Sequence, residues 1–311
     1  HDAIQHNAQG YRGEAVPFAR PQNSLRVLFM GGSTTYGEAV ENPQDSYPAQ
    51  LGKLLQADRA FADRSIEIIN AGVRWGTTAE ILTHYLLKFR YYQPDIVVLN
   101  PGCNDPSAYA TPPYHPDYSN WRKAPETIKP LHSQARWMLQ SRFLSAVIVL
   151  LFFPELPEGS TFVHQGEIPA QWFLPVEKGK IQVAENAFYN NMSTVVREIK
   201  NDGADVFLLS YQGNPFDEGD QSQWRKFYDY EELLLKQIAE EQQVVFAPFP
   251  LSRMQLEDWA DPSHLKVTGE LKKAAYVYEA AMPILLQRMA CGECRSHVVV
   301  SPIPALDLTP Q

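Results

Sequence analysis

Ser33 is the first residue of this 311-residue chain whose type and setting could do chemistry. It follows the apolar run Leu25-Arg-Val-Leu-Phe-Met30 and the pair Gly31-Gly32. An apolar run bounded by glycine reads as a buried parallel strand, covered on both faces. Glycine lets the backbone turn sharply, which leaves Ser33 at the carboxyl end of that strand, where open α/β sheets hold their ligands. A serine there can be a nucleophile, a phosphate-loop hydroxyl or a helix cap. The phosphate loop is excluded because its lysine is missing from this segment. A nucleophile needs a base, a group to orient the base, and donors for a developing oxyanion.

Asp261-Pro-Ser-His264 offers the base and its orienter. A carboxylate three residues before an imidazole, in a turn stiffened by proline, can hold one ring nitrogen while the other points across the strand ends. The same pattern also occurs in solvated loops. Gly72 and Gly102-Cys-Asn104-Asp105 each come just after an expected strand.

These residues must be positioned by a sheet, and the chain reads as one. Strands are expected at 25–30, 65–70, 94–100, 204–210 and 244–248. Helices are expected from Tyr47 to near Ala57 with Asp45-Ser46 as cap, through Ile81 to Phe89, through Phe188 to Ile199 closed by Gly203, over 224–242 and over 268–289. Strand and helix alternating in this way is the signature of a right-handed parallel α/β sheet. Ser33, Gly72, Asn104 and His264 each fall just after an expected strand, so such a sheet brings all four to one edge. The polar segment 7–13 is expected to wrap the domain ahead of the first strand.

One domain is expected over 1–290, followed by a tail over 291–311. Between about 106 and 179 the pattern breaks into a segment rich in Pro, Tyr and Trp. A long insertion of this composition reads as partly helical, over about 133–153, and partly as a wall or lid over the site. The apolar run 143–153 is too short to span a bilayer and reads as a buried helix, with membrane contact as its other candidate role.

Hydrophobic residues make up 44% of the chain and aromatic ones 12%, enough for one large core. A net charge of -9 argues against a nucleic-acid partner, whose phosphates would be repelled. The eight histidines include no pair at metal-ligand helical spacing, and no cofactor or metal is expected. Of three cysteines, Cys103 reads as a small filler beside the site. Cys291 and Cys294 read as a local disulfide or two thiols, with His297 near enough to keep a metal in view.

The four blocks Gly31-Gly-Ser33-Thr-Thr, Asn70-Ala-Gly72, Gly102-Cys-Asn104-Asp105 and Asp261-Pro-Ser-His264 together resemble the SGNH hydrolases, also called GDSL-type esterases and lipases. The resemblance runs from about Asn7 to Met289, the insertion excepted. It implies a flavodoxin-like three-layer α/β/α sandwich with five parallel strands in the order 2-1-3-4-5. It also implies Ser33 as nucleophile, His264 as general base and then acid, and Asp261 as orienter. The oxyanion hole would be made of the Ser33 and Gly72 N–H groups and the Asn104 amide. Gly32 departs from the family pattern, which has aspartate there.

By that resemblance the expected activity is hydrolysis of small acyl esters, acetyl esters foremost, through an acyl-enzyme. The expected substrate is a small molecule or carbohydrate, with Thr34, Asp105, Trp121 and Trp172 as further candidates for binding it. The tryptophans suit stacking on sugar rings and equally suit a core. An O-acyltransferase with the same residues, a lipid or thioester hydrolase, and a binding module without activity are the alternatives. A chain beginning at His1 reads as a processed or excised fragment, and with this resemblance export from the cytoplasm is the preferred location.

Overall fold

The computed structural model describes residues 6–109, 115–119, 186–217 and 221–290. The chain divides into two compact units, one made of His1–Pro106 with Ala170–Gln311 and the other of Ser107–Pro169. Most of the second unit, with Trp121, the expected helix over 133–153 and the apolar run 143–153, lies outside the described residues, and so do Trp172 and the tail with Cys291, Cys294 and His297. Among the described residues no helix is long and apolar enough to cross a membrane.

The first unit is built on five strands, β1 (Ser24–Gly31), β2 (Ser65–Gly72), β3 (Ile96–Asn100), β4 (Asp205–Leu209) and β5 (Val245–Ala247). All pairings are parallel and the order is β2-β1-β3-β4-β5. The order reverses beside β1, so β1 and β3 leave a crevice at their carboxyl ends. Register brings Gly31 opposite both Gly72 and Asn100, which sets three segments of interest at one level.

Helices α1 (Ser33–Tyr36), α2 (Tyr47–Ala57), α3 (Thr78–Leu87), α4 (Asp105–Tyr109), α5 (Ala187–Asn201), α6 (Gln221–Gln242) and α7 (Val267–Ala290) connect and cover the sheet. Alternate residues of β1 explain the layers. Leu25, Val27 and Phe29 pack with Leu51 and Leu55 of α2 and Ala274, Val277 and Ala281 of α7 in one apolar cluster. Leu28 and Met30, pointing the other way, are equally buried, so β1 has no wet face.

Three local expectations are revised. Ser46 precedes α2, but its hydroxyl donates back to the Pro43 carbonyl (2.7 Å) rather than capping the helix. The Tyr47 N–H instead meets the carboxylate of Glu270, from α7 (2.6 Å). The third helix stops at Leu87, and Phe89 belongs to a 3-10 turn, Phe89–Tyr92, whose rings pack with Tyr11. The fifth strand is three residues long, short for an edge and therefore little exposed to pairing with other chains.

The segment before β1 wraps the other edge, as its polarity suggests. Arg12 bridges Asn70 of β2 in antiparallel fashion (N···O 3.2 Å), and its guanidinium lies 4.4 Å from the centre of the Tyr36 ring and donates to the Val40 carbonyl.

Candidate active site

Ser33 is presented by the way β1 ends. A Cβ built on Gly31 would lie 2.3 Å from Thr35 Oγ1 and 2.4 Å from the Asn100 carbonyl oxygen, so only glycine fits this turn. Gly32 is the N-cap of α1, and its carbonyl accepts from Thr35 and Tyr36 N–H, each at 3.0 Å. Ser33 is therefore the first helical residue and not a cap. Its own N–H belongs to the first turn and has no intrahelical acceptor, and its hydroxyl is free to bond elsewhere.

That hydroxyl lies 2.8 Å from Nε2 of His264, 231 residues further along the chain. Nδ1 of His264 lies 2.8 and 3.0 Å from the two carboxylate oxygens of Asp261. The local turn makes the carboxylate rigid, because Asp261 Oδ1 also accepts from the Ser263 N–H (2.7 Å) and the His264 N–H (2.8 Å). The turn is closed at its base by the bridge between Trp259 and Leu265, which pack with Phe249 and Met254 in a small apolar cluster. The Pro262 carbonyl is held by the Asn214 N–H (2.9 Å). In the structure, then, the Asp261 carboxylate of this turn is in contact with the His264 ring.

Burial raises the Asp261 carboxyl pKa, but bonding to the His264 ring, its positive charge and the two backbone N–H groups outweigh this and hold it below the ordinary range. The resulting stabilisation is present above the ordinary aspartate value and is lost only as the pH falls through the lowered one. A carboxylate that stays charged fixes the Nδ1–H tautomer, leaving Nε2 as the acceptor for a proton from Ser33.

Asn104 is positioned from two sides. Its amide nitrogen donates to the Gly76 carbonyl (2.9 Å), which uses one N–H and leaves the other for a second acceptor. The next residue, Asp105, is fully buried and accepts from the Thr78 N–H (3.1 Å) and hydroxyl (2.6 Å) at the start of α3. Asp105 was expected among substrate-binding candidates. In the structure its carboxylate ties the loop carrying Asn104 to α3. Thr34, the neighbouring candidate, has a buried hydroxyl with no hydrogen-bond partner among the described residues.

The Gly72 expectation also changes. Its N–H is taken by the Asn70 side chain (3.1 Å), and a Cβ on it would lie 2.2 Å from the Tyr36 nitrogen, so Gly72 is packed beneath α1. The glycine of this loop that reaches the site is Gly76, through its contact with Asn104. Its N–H donates to the Val73 carbonyl (2.9 Å). This geometry leaves the Ser33 N–H, in the first turn of α1, and the second Asn104 N–H as the candidate donors to an oxyanion. The sequence signal for Gly76 was its place directly before the capping box Thr77/Glu80 of α3, where a strand-to-helix loop must close.

Gly32 takes its meaning from the same contacts. A Cβ there would stand 2.9 Å from Asn104 Nδ2 and 3.2 Å from the Gly76 oxygen. The space that a larger residue would fill is occupied by the amide and its acceptor. Gly32→Ala is expected to push Asn104 off its line and lower kcat by about ten- to a hundredfold, the scale of a small misplacement of a reacting group. Steady-state kinetics together with a thermal melt check this, the melt separating misplacement from unfolding.

Beneath the site, Asn100 at the end of β3 donates to the carbonyls of Leu209 (3.1 Å) and Ser210 (3.0 Å) and accepts from Lys273 Nζ of α7 (2.7 Å). Burial pushes the Lys273 ammonium down to about 8 against the attraction of Glu270, and pushes the Glu270 carboxyl up to about 7 against the attraction of Lys273. This network pins α7, which follows the His264 turn, to the strand that leads to Asn104. Cys103, expected as a small buried filler, is half-buried beside the Ser33 hydroxyl. Burial of its sulfur raises the thiol to about 12, so it stays protonated and unreactive at neutral pH. Trp121 and Trp172 lie outside the described residues.

Comparison with known proteins follows the geometry. The family model described as the GDSL-like Lipase/Acylhydrolase family matches residues 29–270. No curated protein matches the chain. Among solved structures, the acetylxylan esterase Axe2 from Geobacillus stearothermophilus is 17% identical, with 83% of this chain and 95% of that one covered and a TM-score of 0.49. A GDSL-like lipase from Parabacteroides merdae is 14% identical over 84% of this chain and 99% of that one, with a TM-score of 0.50. At such identities the likeness concerns the fold. The family match spans most of the chain, from the middle of β1 to the start of α7, and this protein therefore belongs to the GDSL-like lipase/acylhydrolase family of carboxylic ester hydrolases.

Proposed function

We propose that this protein is a serine esterase that removes small acyl groups, acetyl foremost, from an alcohol such as a carbohydrate. The observation that carries the reading is the 2.8 Å contact between the Ser33 hydroxyl and His264 Nε2, with Asp261 on the far side of the ring.

In this reading His264 takes the Ser33 proton as Oγ attacks the ester carbonyl carbon. The carbonyl oxygen becomes an oxyanion, held by the Ser33 N–H and the free Asn104 N–H. Asp261 stabilises the imidazolium, which then protonates the departing alcohol and leaves an acyl ester on Ser33. Water, activated by the same imidazole, attacks that ester and releases the acid. No step calls on a metal or cofactor. A small acyl group fits the crowding around Ser33, which is 9% exposed and flanked by buried Thr34 and Asn104.

The test is turnover of an aryl acetate combined with an aryl phosphonate ester as trap. The phosphonate is expected to add its mass to Ser33 alone, and acetate is expected to be released from the substrate. Labelling elsewhere, or full activity after labelling, would overturn the assignment. Adding a glycan at fixed concentration shows whether the acyl group goes to water or to a sugar hydroxyl.

A further inference from the structure

The loop between β2 and α3 holds a large aromatic residue in a conformation that its side chain disfavours. Trp75 has φ 59° and is 59% exposed. It is the third residue of a four-residue turn closed by the Gly76 N–H on the Val73 carbonyl (2.9 Å). A positive φ at that position ordinarily selects glycine or asparagine, because a Cβ crowds the following carbonyl. Asn23, Gln93 and Gln243 share the sign and are polar, and Gln93 is a helix C-cap; Tyr118, the other aromatic residue with this φ (59°), is fully buried, whereas Trp75 is exposed. A bulky residue in this region is an outlier that persists when its surroundings hold it, and it points to a role beyond folding.

Those surroundings are the site itself. The Val73 N–H donates to the Gly31 carbonyl (3.0 Å), Arg74 pairs with Glu38 just past the nucleophile turn, and the Gly76 carbonyl holds the Asn104 amide. Trp75 thus lies between residues whose contacts reach Gly31 and Glu38 on one side and Asn104 on the other. Its indole, meanwhile, has no aromatic, cationic or hydrogen-bonding partner among the described residues. An exposed ring with one polar edge suits a partner that is flat and apolar on one face and hydroxylated at its rim.

We infer that Trp75 is a specificity-determining residue that stacks on the ring of the alcohol half of the ester, a pyranose or an aryl ring. This rests on the small-acyl reading above, under which only the alcohol is large enough to reach the rim of the site. The backbone conformation at Trp75 then fixes where the side chain leaves the loop before the substrate arrives, so less freedom is lost on binding.

The test compares kcat/KM for an acetylated methyl pyranoside and for phenyl acetate, each divided by kcat/KM for methyl acetate. In Trp75→Asn at least one ratio is expected to fall about three- to tenfold, the range of an aromatic stacking contact. Trp75→Phe is expected to recover most of it. A fall for the pyranoside alone identifies a carbohydrate alcohol, and a fall for the phenyl ester alone identifies an aryl one. Trp75→Asn is also expected to unfold at the same temperature or higher, since asparagine tolerates this backbone better. Unchanged ratios, or a variant that melts lower while all three esters suffer alike, would show that the ring serves only the fold. Should the parent protein hydrolyse none of the esters, or do so equally as Ser33→Ala, the esterase reading fails by itself. Trp75 is then judged by indole fluorescence on adding methyl pyranoside or phenol, and equal responses from the parent and Trp75→Asn would overturn the inference.

Discussion

Ser33→Ala is expected to lower kcat on an aryl acetate by about four to six orders of magnitude, the scale seen when the nucleophile of a linked triad is removed. The expectation follows from the geometry. The Ser33 Oγ is the atom within 2.8 Å of the imidazole, and the neighbouring thiol of Cys103, pushed up to about 12 by burial, is not ionised and cannot substitute for it. Stability should change little, since one partly buried hydrogen bond contributes about 1 kcal/mol. His264→Ala is expected to fall as far, and the double variant no further than either single one, because neither group works without the other. The measurement is initial rates at saturating ester for the three variants, with circular dichroism melts alongside. Additive losses, or a single variant within tenfold of the parent, would mean that the two side chains are neighbours without being partners.

The second large effect is expected from Asn104→Ala, a loss of about a hundred- to a thousandfold in kcat with a much smaller change in KM. A donor aimed at the oxyanion bonds more strongly as negative charge develops than to the neutral carbonyl, so its loss is felt in the transition state. The Asn104 amide is pre-aimed, with one N–H on the Gly76 carbonyl and its loop tied through Asp105 to α3. Removing the side chain also strands the Gly76 carbonyl, which costs about 1 kcal/mol of stability. The rate loss corresponds to roughly 3 to 4 kcal/mol, so catalysis should suffer more than folding. A variant with KM raised and kcat preserved would instead make Asn104 a ground-state contact.

How much of this was legible in the chain differs from residue to residue. The strand at Ser24–Gly31 follows from a local pattern of apolar and β-branched side chains, and with it the position of Ser33. The contact between Asp261 and His264 spans three residues in a proline-stiffened turn, so its geometry is nearly decided by the covalent chain. The sheet order came through resemblance and is the order observed.

Other features depended on segments that meet only in the folded molecule. The helix at Tyr47 is capped by Glu270, 223 residues away, which no local rule for Ser46 could reveal. Gly72 has the local look of a donor, yet α1 lies so close above it that its N–H turns to Asn70, and Gly76 takes the place beside Asn104.

The amino-acid sequence by itself determined the strands and helices along the chain and singled out the serine, imidazole and carboxylate as candidates, because short-range hydrophobic periodicity and a three-residue turn need nothing from the rest of the chain. Only the tertiary structure decided which glycine meets the Asn104 amide, that Asp105 ties its loop to α3, and that Trp75 stands strained and exposed. Those outcomes follow from the packing of backbone against backbone across the strand ends, where tenths of an ångström decide which group fits.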